Sequence, residues 1–246
     1  MSPRAQIAAS VSLAIAISAV SIHSLLQREP SYDGRTLSQW LEDFDLGAAN
    51  RCERAADAID EIGTNAIPRL LSLLGAKDTP LDEAMAEIND TQSIMAIDWD
   101  TAFDSHWRAL RGFEALGDKA VAAIPTLATA LERGENPAFV SFALASIGVE
   151  ALPSLQSAST NQNHGVRMSS IAALGILGAE ARPAIATLIA CLTDANATVR
   201  RCAADALGRI GSEARDAVPS LEKAREDIDS GVRAAAALAL KRIGFP

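Results

Sequence analysis

Six times along this 246-residue chain a hydrophobic hexapeptide ends in glycine: AIDEIG at Gly63, GFEALG at Gly117, ALASIG at Gly148, ALGILG at Gly178, ALGRIG at Gly211 and ALKRIG at Gly244. The last five glycines stand 31, 30, 33 and 33 residues apart, whereas the first gap is 54, so something is inserted there. A proline follows five of them at a fixed offset, Pro68, Pro153 and Pro183 five residues on, Pro125 and Pro219 eight on. Few folds tolerate such a rhythm. Each unit must be a small structure that buries its apolar side only against its own copies.

The grammar has a mechanical reading. Glycine can take the left-handed conformation that closes a helix, and proline fits a first helical turn, where its missing N–H has no partner to lose. Every Gly-to-Pro segment is therefore predicted to be a tight link between two helices. Between links the apolar residues keep helical spacing, as Val199, Cys202, Ala203, Ala206, Leu207 and Ile210 do before Gly211. Abundant alanine favours helix and lets neighbours approach closely. The predicted fold is all-α, an α-solenoid of about six helix pairs over residues 31–246.

A helix such as AIATLIACL (184–192), a polar turn with Asp194, the pair Val199-Arg200 and an alanine-rich helix ending in ALGRIG together resemble a HEAT repeat of the phycobilisome-lyase type. The Val-Arg pair returns at Val166-Arg167 and Val232-Arg233, and the resemblance covers roughly residues 50–244. It implies an α-solenoid; as to function, such repeats serve scaffolds, adaptors and some enzymes alike. The run from Tyr32 to Leu41, Tyr-x-Gly-Arg-x-Leu-Ser-x-Trp-Leu, is similar to one that follows a hydrophobic leader in other bacterial HEAT-repeat proteins.

Residues 1–30 differ in kind. The span 7–26 has no formal charge and holds fourteen apolar residues, five serines and His23. It predicts one N-terminal hydrophobic helix of bilayer length, which favours an uncleaved membrane anchor. Small residues at Ala16 and Ser18, or Ala19 and Ser21, suit a cleaved secretory signal instead. Either way the expectation is export, with the repeats on the extracytoplasmic side of the cell membrane, or periplasmic or secreted after cleavage. Residues 27–35 read as a polar connector. Thr36 and Gln39 then have capping-box spacing before Leu37, Trp40, Leu41 and Phe44, the pattern of a helix that covers the open end of the stack. Trp40 shares the stripe of Leu and Phe, so its role reads as a seal on the first repeat.

The insertion, about residues 75–104, carries eight carboxylates and one lysine, with Pro80 placed to start an extra helix. An acidic, aromatic-containing elaboration on a regular scaffold is the natural place for a binding site, and Asp98, Trp99, Asp100 and Trp107 are the candidate binding residues. The competing reading packs the apolar residues on the neighbouring ridge and leaves the acids in water. Charge is uneven: residues 31–104 hold sixteen acids and five bases, residues 105–246 fourteen and fifteen, and the chain carries a net −9. A nucleic-acid partner is disfavoured because no basic face is expected.

No catalytic constellation stands out. The histidines, His23, His106 and His164, have no metal-ligand neighbours at helical spacing, and the His-Glu dipeptides that serve di-iron HEAT-repeat hydroxylases are missing. Asp98, Asp100 and Asp104 lack the glycine and terminal glutamate of a calcium loop. Cys52, Cys191 and Cys202 form no Cys-x-x-Cys motif; Cys191 and Cys202 flank one turn and read either as a disulfide or as buried thiols. Arg167, Arg200 and Arg233, spaced by 33, are expected to tie down inter-helix turns through turn carbonyls or an acid such as Asp194 or Asp229. The expectation is a binding scaffold for a protein or peptide partner, without cofactor, metal or catalysis. The alternative is an enzyme or enzyme subunit resembling the HEAT-type bilin lyases, for which Cys52 or the acidic insertion are the only candidates.

Overall fold

Glycine sets the pattern, by a different conformation from the expected one. In the computed structural model, which describes residues 29–45, 47–78 and 101–245, Gly63, Gly117, Gly148 and Gly211 combine φ of 51 to 104° with ψ of −129 to −152°. That region lies beyond the left-handed well and is essentially open to glycine alone. Gly244 instead closes its helix in the left-handed conformation, with φ 90° and ψ 25°. After the first five hexapeptides a short 3-10 turn leads into the next helix. Pro68, Pro125, Pro153 and Pro219 sit in the first helical turn as expected, whereas Pro183 falls within the 3-10 turn itself.

The described helices form six hairpins. They are α1 (Leu37–Leu41) with α2 (Ala49–Ile62), α3 (Ile67–Leu74) with α4 (Ala102–Leu116), α5 (Ile124–Glu132) with α6 (Pro137–Ile147), α7 (Leu152–Ala158) with α8 (His164–Ile176), α9 (Ile185–Cys191) with α10 (Ala197–Ile210), and α11 (Val218–Ala224) with α12 (Ser230–Ile243). The insertion thus replaces the turn inside the second hairpin. Its two ends meet: Ala102 N–H donates to Asp78 Oδ1 at 2.8 Å. Residues 7–26, and with them the predicted hydrophobic leader, lie outside the described residues, as do Asp98, Trp99 and Asp100. Among the described residues no helix is long and apolar enough to cross a membrane.

The all-α expectation needs one correction. The connector contains two short antiparallel strands, β1 (Ser31–Tyr32) and β2 (Arg35–Thr36), joined through Asp33 and Gly34 at φ 48° and 75°. This hairpin serves the end cap. Tyr32 O accepts from Trp40 Nε1 at 3.1 Å, and the Arg35 guanidinium lies 4.0 Å over the Trp40 ring, so the buried indole has both a hydrogen bond and a cation on its face. Thr36 and Gln39 form the predicted capping box.

A single apolar cluster runs without a break from Leu37 to Ile243. The longer, second helices stack side by side along it. Where they touch, both partners are small: a Cβ on Gly175 would lie 3.1 Å from Ala206 Cα, and one on Gly208 only 2.8 Å from Ala239 Cα. Bulk at either glycine would push two helices apart.

A second device recurs eleven residues before each hexapeptide glycine, at Cys52, His106, Pro137, Arg167, Arg200 and Arg233. Five of these side chains reach the turn that precedes their own helix. Cys52 Sγ is 3.9 Å from Asp43 O and His106 Nε2 is 3.0 Å from Ala76 O. Nη1 of each arginine donates to two successive turn carbonyls, at 2.8 and 3.0 Å for Arg167, 2.9 and 3.3 Å for Arg200, and 2.8 and 2.9 Å for Arg233. Pro137 has no donor; its neighbour Asn136 instead donates to Leu74 O at 2.8 Å.

Candidate functional site

The face that the second helices turn away from the core is defined by the residues six and two positions before each glycine. Along the stack these are Asp57 and Glu61, Arg111 and Ala115, Phe142 and Ser146, Ala172 and Ile176, Asp205 and Arg209, Leu238 and Arg242, all at least partly exposed. Polarity varies along them. Asp57 and Glu61 stand on α2 and Arg111 on α4, Phe142, Ala172 and Ile176 make the centre on α6 and α8 mainly apolar, and Arg209 and Arg242 are exposed on α10 and α12 beside Asp205 and Leu238.

The centre is a groove rather than a flat ridge. Phe142, Ala172, Ile176, Cys202, Asp205 and Arg209 line a recess of about 160 Å³ between neighbouring second helices. Gly175 permits it: the Arg209 stem lies over this glycine, with Arg209 Cδ 3.4 Å from where a Cβ would stand. Ile176 is 52% exposed although the flanking hexapeptide is core. The apolar surface continues toward α4, where Phe103, 63% exposed, meets Phe139 edge-on with ring centroids 5.6 Å apart. Phe139 also lies 5.3 Å from the His106 ring. Large side chains left this open are unusual away from an interaction surface.

Of the four residues singled out from the sequence, Trp107 is described. It is 43% exposed, one helical turn beyond Phe103 on α4, and so borders the same apolar surface. Sequence reasoning missed Phe103 and Ile176 as exposed residues and Phe139 and Phe142 as half-buried ones beside them. The signal that could have found them was comparison in register: the counterparts of Phe142 and Ile176 one repeat later are Asp205 and Arg209.

The other candidates resolve into structural roles. Asp104 closes a capping box at the start of α4, its Oδ2 accepting from Thr101 N–H at 2.8 Å. Cys191 and Cys202, on facing helices α9 and α10, are separate thiols; burial pushes both up from the ordinary thiol range, with Asp194 adding to the effect at Cys191. Cys52 is half-buried against the core beside Asp43 O. Among the described residues no group of three His, Cys, Asp or Glu side chains could hold a metal ion.

The arginine ladder uses both expected kinds of partner, turn carbonyls and an acid. Arg167 grips Asp194 and Arg200 grips Asp227, whereas the Asp229 carboxylate accepts from Val232 N–H at the start of α12. Each gripped aspartate also accepts the backbone N–H two residues on, Asp194 from Asn196 and Asp227 from Asp229. Burial opposes ionisation of Asp194, but its bonds from Arg167 and Asn196 prevail and hold it below the usual carboxylate range. Arg200 is the main cause of the same shift at Asp227.

Residues 180–241 match the family of HEAT repeats. No curated protein matches the chain. Among solved structures, the chain is similar to an engineered protein at 20% identity, over 85% of this chain and 98% of that one, with a TM-score of 0.43. It is similar to a designed armadillo repeat protein in complex with the peptide (KR)4 at 16% identity, over 84% and 99%, with a TM-score of 0.44. Human deoxyhypusine hydroxylase is similar at 19% identity, over 85% and 84%, with a TM-score of 0.43. The described residues form a stack of helical hairpins, of which those over residues 180–241 are similar to HEAT repeats.

Proposed function

We propose that this chain is a scaffold that holds a partner protein or peptide along the face of its second helices and has no catalytic activity of its own. The observation that carries the reading is the apolar centre of that face, Phe142, Ala172 and Ile176, with Asp57 and Glu61 toward one end of the stack and Arg209 and Arg242 toward the other. A segment with apolar side chains between a basic and an acidic end complements it. The apolar centre supplies affinity and the charged ends set direction.

A photo-crosslinking residue at Ile176 tests this against one at Ser157, exposed on α7. One discrete adduct is expected from position 176 and none from 157, and Phe142→Asp in the same chain abolishes it. Equal labelling from the two positions would sink the reading.

We further propose that residues 7–26 export the repeats and tether them as a single-pass anchor. The support is the length of that uncharged span. N-terminal sequencing of the mature protein tests it: a chain that begins after residue 16 was cleaved, and the tether is then wrong.

A further inference from the structure

A carboxylate stands in the apolar groove at Asp205. Its counterparts in register on the second helices either side are Ala172 and Leu238, so the stacking of hairpins does not call for an acid at this place. The side chain is half-buried. Arg201 and Arg209 lie four residues to either side of it on α10, yet among the described residues its oxygens accept no hydrogen bond and close no ion pair. A carboxylate partly withdrawn from water with its lone pairs unused is costly, and a donor brought by a ligand offsets that cost.

The recess beside Asp205 has the size and the walls for one ring. Its volume of about 160 Å³ is close to the roughly 150 Å³ of an apolar cavity that takes up benzene. Phe142 and Ile176 supply apolar sides, the buried Gly175 and Ala206 a floor without bulk, and Asp205 and Arg209 a polar rim. The Arg209 stem lies along that floor, its Cδ 3.4 Å from where a Cβ on Gly175 would stand, while the residue as a whole stays exposed. Like Asp205, it makes no hydrogen bond through its side chain among the described residues.

These walls choose between side chains. A lysine or arginine would satisfy Asp205 but set a further cation beside Arg201 and Arg209. Phenylalanine would fill the apolar part and leave the carboxylate unpaired, and the double ring of tryptophan exceeds the space. A phenol meets both demands, because its O–H can donate to Asp205 and its oxygen can accept from Arg209 while the ring stays among apolar atoms. We propose that this recess is a tyrosine-binding site, occupied by a tyrosine of the partner whose ring lies between Phe142 and Ile176 and whose hydroxyl donates to Asp205. The proposal rests on the reading of this face as a docking surface and names the anchor it takes; an enclosed aromatic anchor is the kind of contact that dominates an interface.

The full chain, labelled with ¹³C at the isoleucine δ1 methyls, is titrated with N-acetyl-tyrosine amide and with N-acetyl-phenylalanine amide. The Ile176 methyl should shift saturably with the tyrosine amide, while that of Ile228, 93% exposed in the turn before α12, stays in position. The phenylalanine amide should bind about tenfold more weakly, the loss of one charge-assisted hydrogen bond. Asp205→Ala should remove that preference by weakening the tyrosine amide alone, its unchanged affinity for the phenylalanine amide being the check that the variant folds. Asp205→Asn, which keeps the shape and loses the charge, should fall between the two. Equal affinities for the two amides, a tyrosine preference that survives Asp205→Ala, or an Ile176 methyl that stays put up to about 10 mM amide overturns the proposal. If a discrete photo-adduct still forms at position 176, the docking face stands and only its tyrosine anchor falls; equal labelling at 176 and 157 removes the face itself.

Discussion

Arg167 and Asp194 lie 27 residues apart on neighbouring hairpins, and their side chains meet twice, Nε to Oδ2 and Nη2 to Oδ1, at 2.8 Å each. The same arginine holds the turn before its own helix. One guanidinium thus fastens two successive turns, and Arg200 repeats the arrangement with Asp227. A contact that spans repeats counts for more in a stack than one within a hairpin, because the interfaces between units decide whether the array unfolds together or frays.

Arg200→Ala should therefore lower stability by about 2 kcal/mol, the range of charge-assisted hydrogen bonds at a mostly enclosed site. Arg200→Lys should recover less than half of the loss, since an ammonium cannot bind both oxygens in the plane. Urea unfolding measures both. A change below about 0.5 kcal/mol for the alanine variant would mean that the pair is ornamental.

Acid should erase this contribution. Asp194 and Asp227 are held below their ordinary range, so the unfolded chain takes up protons first as pH falls. The stabilisation is whole above the unfolded carboxylate value of about 3.9 and disappears as pH drops through the lower folded value. The melting-temperature difference between the wild type and Asp227→Asn should stay constant from about pH 5 to 8 and close below about pH 4.

Gly208→Ala opposes two effects. The substitution favours helix by up to about 1 kcal/mol, but its methyl would stand 2.8 Å from the Ala239 Cα, which only a backbone shift can relieve. A net loss of about 1–2 kcal/mol is expected in calorimetry. Lys241→Ala, at the equivalent place on the exposed end, should be neutral within about 0.5 kcal/mol.

Thiol reactivity separates the cysteines by burial. Cys191 is enclosed and pushed up by desolvation, so a thiol-specific reagent at neutral pH should modify it only as fast as the chain opens. Peptide mass analysis of timed aliquots, with and without urea, reads this directly. Fast labelling of Cys191 in the folded protein would place it outside the core.

Much of the scaffold was legible because glycine and proline act locally. The hexapeptides, the seal at Trp40 and the Thr36 capping box need no knowledge of distant neighbours. The aspartate that meets Arg200 was not legible, since Asp227 and Asp229 flank one turn and only the fold decides which caps the helix and which faces the arginine. The groove was obscured for a related reason. In PAFVSFALASI of α6 nearly every position is apolar, so periodicity alone does not say that Phe142 is half-exposed at a recess while Leu144 is core. The strands at 31–36 were hidden because a two-residue ladder has no period to read.

The last three glycine-ended hexapeptides share a strict 33-residue register, and so do the arginines, the gripped aspartates and the small helix contacts. Excising residues 178–210 would splice Leu177 to Gly211, bring Arg167 to Asp227 and seat Gly175 beside Ala239, so that every junction finds its accustomed counterpart. Duplicating the same cassette would do likewise. The number of units is thus free to change by deletion or duplication without inventing a new joint, and the reach of the molecule can be lengthened or trimmed while its ends stay as they are.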